Sequence, residues 1–140
     1  MTSQQTREYK KPLPRPTLIS KPFWDGLREE RLLIQRCRAC GGLQHYPRPH
    51  CIRCLSLELE WVQASGRGTV YSYTIVRRAA NPAFAEDVPY VLAVIELEEG
   101  PHLSGNVVGI APEEVRIGMP VEAVFDHVTP EATLLKWRPR

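Results

Sequence analysis

The sequence predicts a mainly β chain, with a short N-terminal helix, a ribbon held by four cysteines, and a five-stranded barrel. Three observations predict it. All four cysteines fall in CRACGGLQHYPRPHCIRC, residues 37–54, as two Cys-x-x-Cys pairs. Beyond Gly66 the chain reads as short stretches of strand pattern bounded by Gly, Pro, Asn and Asp. The 140 residues are 43% hydrophobic and 24% charged, a composition that builds one modest core.

Taken in order, residues 1–19 hold three prolines in KKPLPRPTL and no periodic apolar pattern, so an extended arm is expected. SKPFWDGLREE then offers Ser20 as an N-cap, Pro22 in the first turn, and Phe23, Trp24 and Leu27 on one side of a short helix. Phe23 and Trp24 are costly to leave in water, so the chain or a partner must cover them, and both are candidate partner-binding residues. RLLIQRC reads as a strand entering the first cysteine pair and LELEWVQA as a strand leaving the second, which places helix and ribbon in residues 20–62. Residues 63–140 supply strands at GTVYSYTIVRR, PYVLAVIELE, HLSGNVVG, PVEAVFDHV and ATLLKWRP, with one helical turn at APEEV. Val121, Ala123 and Phe125 alternate with Glu122 and Asp126, the mark of one buried and one wet face. Five strands of uneven length with a helical turn before the fourth suit an OB-fold; a β-sandwich fits the same strands.

Cys37, Cys40, Cys51 and Cys54 form two knuckles that can aim four thiolates at one point, the closed tetrahedral set of a structural Zn2+, one per chain. Bound iron, a site that has lost its metal, and thiol redox chemistry are the alternatives. Gly41 and Gly42 follow the first knuckle, where positive φ turns backbone N–H groups toward sulfur, whereas the second knuckle is followed by Leu55. His45 and His50 lie in the loop and read as polar loop residues, since four thiolates already saturate a metal. Such a site leaves no open position for water or substrate, so it stabilises rather than catalyses.

No catalytic residue is assigned elsewhere. Gly-x-Ser-x-Gly, a phosphate-binding glycine loop and His-Glu-x-x-His are all absent from the sequence. His102 and His127 read as surface residues, and Glu98 with Glu99 as a solvated hairpin. The net charge of +2 hides an asymmetry: residues 1–54 carry +7 and residues 55–140 carry −5. Arg36, Arg38, Arg48 and Arg53 around the ribbon, with Arg67, Arg77 and Arg78 in the barrel, suit the phosphates of coenzyme A or of nucleic acid. Phe84 stands alone in the long connection RRAANPAFAEDVPY, either over a site or folded back into the barrel end. Tyr71 and Tyr73 are candidates to stack on bases. The polar opening and the lack of a run of about eighteen apolar residues read as a cytoplasmic protein outside the membrane.

The order of these pieces resembles a known family. FWDGLREERLLIQRC entering a four-cysteine ribbon, GRGTVYSYTIV opening a barrel, PYVLAVIELEEG ending a long loop, and IGMPVEAVF leading to KWRP are similar to the zinc-ribbon and OB-fold proteins associated with acyl-CoA metabolism, across residues 20–139. The resemblance implies a rubredoxin-like ribbon and a non-catalytic accessory subunit. Its partner would be a thiolase-fold enzyme (a thiolase, acyltransferase, synthase or aldolase) or a hot-dog hydratase, and the two would enclose coenzyme A between them. On that reading Arg67, Arg77, Arg78 and Phe84 face coenzyme A, and nucleic acid is not the ligand. The loop VRRAANPAF departs from the family in lacking a histidine early in it. A single-stranded nucleic-acid-binding OB-fold is the alternative, and a free-standing acyl-CoA carrier a third.

Overall fold

The computed structural model describes residues 9–140. The first eight residues of the expected arm lie outside the described residues.

The arm that is described, from Tyr9, runs extended into a single helix, α1, Lys21–Arg28. Its cap lies one turn earlier than expected. Ser20 has helical dihedrals, φ −88° and ψ −8°, and makes no side-chain cap. Thr17 does the capping: its N–H donates to Ser20 Oγ at 2.9 Å while Ser20 N–H donates back to Thr17 Oγ1 at 3.1 Å, a reciprocal box that satisfies two orphan donors. The helix ends with Arg31 N–H donating to Gly26 O at 2.8 Å and Glu30 N–H to Leu27 O at 3.0 Å, with Glu30 left-handed at φ 57°. Phe23 and Leu27 are buried and Trp24 is partly buried.

Strands β1 (Leu33–Cys37), β2 (Leu43–Gln44) and β3 (Leu59–Gln63) form an antiparallel sheet in the order β2-β1-β3. The five expected barrel strands follow as β4 (Arg67–Val76), β5 (Tyr90–Leu97), β6 (His102–Val107), β7 (Pro120–His127) and β8 (Thr133–Pro139). They close in the order β4-β5-β6-β8-β7, the OB-fold arrangement, so the sandwich alternative is set aside. APEEV supplies a short 3₁₀ turn, Pro112–Glu114. A second such turn, Pro82–Phe84, sits in the long β4–β5 loop, where Asn81 Oδ1 accepts from Ala83 N–H at 2.9 Å.

The barrel interior is filled by Val70, Ile95, Leu97, Val121 and Trp137, each no more than 2% exposed. Trp137 fits because its neighbour across the seam is Gly105: a Cβ there would stand 2.8 Å from Trp137 Cδ1. Leu27, Leu32 and Ile34 join the same buried cluster, so helix, ribbon and barrel share one core. The seam between β6 and β8 is thin, a parallel ladder of one pair, Val107 with Trp137. Val121 is fully buried as expected, while Glu122 and Asp126 pair outside with Arg138 and Lys136 at 2.8 and 2.6 Å.

The arm lies on the barrel. Lys11 Nζ is 2.6 Å from Asp87 Oδ2 and stands 5.8 Å from the centre of the Phe84 ring. Phe84 therefore forms part of the barrel surface beneath the arm instead of plugging the barrel end.

Candidate functional site

Each cysteine knuckle is a tight turn that its backbone builds. Gly41 N–H donates to Cys37 O at 2.8 Å, and Leu55 N–H donates to Cys51 O at 3.0 Å. Both turns need positive φ at the residue after the second cysteine, Gly41 at 75° and Leu55 at 65°. The leucine thus does a glycine's work, at a cost of about 1–2 kcal/mol, and its side chain is exposed.

The four Sγ atoms lie within 4.8 Å of one another, with Cys37 and Cys54 at 3.6 Å and Cys40 and Cys51 also at 3.6 Å. Four thiolates about 2.3 Å from a tetrahedral metal stand about 3.8 Å apart, so the donor set fits one ion. The backbone N–H groups of Cys54 and Arg53 pull the Cys51 thiol down to about 6. The Cys40 N–H likewise lowers Cys37. Cys54 moves the other way, to about 12: the Ser56 N–H favours its thiolate, but the hydrogen bond to the Cys37 sulfur, desolvation and the Cys51 and Cys40 sulfurs outweigh it. Without a cation, four sulfurs this close cannot all ionise; a metal removes the conflict.

Two buried amides brace the loop between the knuckles. Gln35 Nε2 donates to Arg48 O at 2.9 Å and Gln35 Oε1 accepts from Arg48 N–H at 2.9 Å. Gln44 Nε2 donates to Gln35 Oε1 at 2.9 Å, and Gln44 Oε1 accepts from Ile52 N–H at 3.0 Å. These bonds tie the loop between the knuckles to β1 using neutral groups alone. Sequence reasoning missed them, because a glutamine on a strand reads as a wet residue.

The basic residues of the barrel lie on both ends of one strand. Arg67 opens β4 and Arg77 follows its last residue, next to Arg78 and the loop that carries Phe84. Arg77 and Arg78 remain exposed at the mouth of the loop that carries Phe84, with Arg77 4.0 Å from Glu113. On the ribbon, Glu60 partly neutralises Arg36 and Arg38 at 3.8 and 3.2 Å.

Phe23 does not offer a free surface. It is 8% exposed, packed edge-on to Trp24 with 5.1 Å between ring centres and also 5.1 Å from the His45 ring. Its partner is the chain itself, while Trp24 keeps a face toward solvent. Neither do the two tyrosines share a face. A bulge between Val70 and Ser72 turns Tyr71 outward, 56% exposed against His102, and leaves Tyr73 packed on the core.

His45 is not a solvated loop residue. Its Nδ1 is buried without a hydrogen-bond partner, and burial pushes its pKa down to about 4. His102 and His127 are surface residues, with Nε2 2.9 Å from Glu96 and 3.6 Å from Glu30. Glu99, half of the expected hairpin pair, accepts from Ser65 N–H at 2.8 Å. Among the described residues, no helix is long and apolar enough to cross a membrane.

Two family models match in tandem: the ChsH2 rubredoxin-like zinc ribbon domain over residues 24–60 and the ChsH2 C-terminal OB-fold domain over residues 61–126. A DUF35 domain-containing scaffold protein of Methanocaldococcus jannaschii is 42% identical over 107 residues, 75% of each chain. The chain belongs to the ChsH2/DUF35 family. A probable enoyl-CoA hydratase alpha subunit of Thermomonospora curvata is 44% identical over 98% of this chain, which spans 43% of that subunit. A solved structure described as an Ltp2-ChsH2(DUF35) aldolase superposes with a TM-score of 0.82 and 42% identity, covering 90% of this chain and 98% of that one. The rubredoxin-like ribbon and the OB-fold read from the sequence are therefore this family's two modules.

Proposed function

We propose that this ChsH2/DUF35 chain is a non-catalytic accessory subunit of an acyl-CoA-transforming complex, docking a thiolase-fold enzyme and helping to enclose coenzyme A. The observation that carries this reading is the likeness to a whole chain of the Ltp2-ChsH2(DUF35) aldolase, at an identity far above that of a shared fold alone. The hydratase alpha subunit of T. curvata supports the acyl-CoA side of it. Zn2+ is the ion that suits four thiolates in a closed tetrahedron. Its role here is to hold the ribbon, with Cys37, Cys40, Cys51 and Cys54 as ligands and no position open to substrate. Against nucleic acid stand the pairing of Arg36 and Arg38 with Glu60 and the different settings of Tyr71, exposed, and Tyr73, packed on the core.

The test is a pull-down of the tagged chain from its native extract after nuclease treatment. Recovery of a thiolase-fold enzyme in equal amount is expected. A chain that comes down alone, and that held single strands until the nuclease was added, would overturn the reading in favour of the nucleic-acid alternative.

Arg67, Arg77, Arg78 and Phe84 are the residues assigned to coenzyme A, with Arg77 and Arg78 beside the loop that carries Phe84. Exchanging Arg77→Ala together with Arg78→Ala should raise the KM of the complex for its thioester about tenfold, the equivalent of about 1.4 kcal/mol, with zinc content unchanged. Unaltered kinetics would remove both arginines from the site.

A further inference from the structure

The N-terminal arm is built to lie on the barrel without joining it. Pro12, Pro14 and Pro16 alternate along it, so every second backbone N–H over that stretch is missing and cannot pair with a strand. Among the described residues, no backbone hydrogen bond ties 9–16 to the rest of the chain. The same prolines keep the segment extended, so little freedom is lost when it is laid down.

Its two ends are held differently. At Thr17 the reciprocal bonds with Ser20, 2.9 and 3.1 Å, fix the arm to the start of α1. At the other end the grip is one side chain, Lys11, with Nζ 2.6 Å from Asp87 Oδ2. The two side chains are 30% and 36% exposed, a setting in which an ion pair contributes little and salt screens it. Between these points the arm is loosely seated. A groove of about 360 Å³ runs beneath Tyr9 and Lys11, and a gap of about 240 Å³ separates Leu13, Pro14 and Pro16 from Trp24 and the β7–β8 hairpin. A firm hinge and a weak latch thus bound a segment that packs poorly between them.

The latch sits on the loop assigned to coenzyme A. Phe84 is half-buried, and the Lys11 ammonium stands over its ring, 5.8 Å from the centre. A ligand group that packs on that face must first displace the lysine. Val76 pairs with Tyr90 at the end of the β4–β5 ladder, so Arg77 leaves the barrel beside Tyr90, and Tyr90 lines the groove beneath the arm. Arm and ligand therefore meet on the same loop.

We infer that residues 9–16 are a releasable strap, closed over the β4–β5 loop in the free chain and lifted when coenzyme A takes that loop, a role that rests on the assignment of the loop to coenzyme A. Closed and open arms share one equilibrium, so the affinity for the ligand is reduced by the fraction of chains that are open. Breaking the latch raises that fraction and tightens the ligand; rebuilding it reverses the gain.

Two variants isolate the latch, because both carry Asp87→Lys. Alone, this exchange sets Lys11 against a like charge and opens the strap; combined with Lys11→Asp, it rebuilds the ion pair in reverse. In the free, zinc-loaded full chain, NMR should find the Lys11 ε-protons shifted upfield by the Phe84 and Tyr9 rings, and returned to the solvent-exposed position in Asp87→Lys. In the complex with the thiolase-fold enzyme, the KM for the thioester should be about fivefold lower for Asp87→Lys than for the double exchange. Unshifted Lys11 protons in the wild type would overturn the closed state. Equal KM values for the two variants, beside a KM raised by Arg77→Ala with Arg78→Ala, would overturn the strap and leave the coenzyme A assignment standing. KM values unmoved by every exchange would overturn that assignment, and the strap's role falls with it.

Discussion

Cys37→Ser is expected to release the metal and unfold the ribbon. Cys37 is buried in the donor set and 3.6 Å from Cys54, and its loss leaves three thiolates and a buried hydroxyl that is a far weaker zinc ligand. Apparent zinc-binding free energies in ribbons and fingers are about 10–16 kcal/mol, and in such small units they are folding free energies. Because Leu32 and Ile34 share the barrel's core, the damage should spread beyond the knuckles. The melting temperature should fall by tens of degrees, and metal analysis should show less than one equivalent. A full equivalent retained with an unchanged melting temperature would contradict the structural role assigned to the metal.

His45 should make the fold acid-sensitive in a particular window. Its folded pKa lies near 4 because burial disfavours the charged ring, against about 6.5 in the unfolded chain. Between those values the unfolded chain takes up a proton that the folded chain refuses, so stability is complete above pH 6.5 and drains away as pH falls. The loss amounts to about 2 kcal/mol by pH 5 and about 3 kcal/mol by pH 4. Acid also strips thiolates of zinc, but that loss is common to the wild type and to His45→Phe. Urea unfolding of both at pH 7 and pH 5 isolates the histidine: the wild type should lose the larger share of its stability. Parallel losses in the two proteins would show that the imidazole titrates freely in the fold.

The cysteine spacing and the strand alternation made the architecture legible, because a metal knuckle and a two-residue period are local. What escaped depends on distant neighbours. β2 is two residues long, too short for alternation to appear. Gln35 is polar yet buried, since the inter-knuckle loop covers the face of β1 that would otherwise be wet. His45 owes its burial to Phe23, twenty-two positions earlier in the chain. Lys11 meets Asp87 only because the barrel folds its loop under the arm. One misreading did have a local signal: Thr17 and Ser20 stand three apart, the spacing of a capping box.

The two sheets also differ in how they end. The barrel returns β7 to β4 and closes on itself, leaving only the thin β6–β8 seam sparsely paired, whereas the ribbon sheet stops at β2 on one side and β3 on the other. Self-association by strand addition therefore has its natural starting point on the ribbon, where β3 runs five residues with Glu60 pointing at two arginines. Such charges resist a second copy of the same strand. Loss of the metal, by loosening the turns that hold β1 between its neighbours, should then reveal itself as aggregation as well as unfolding.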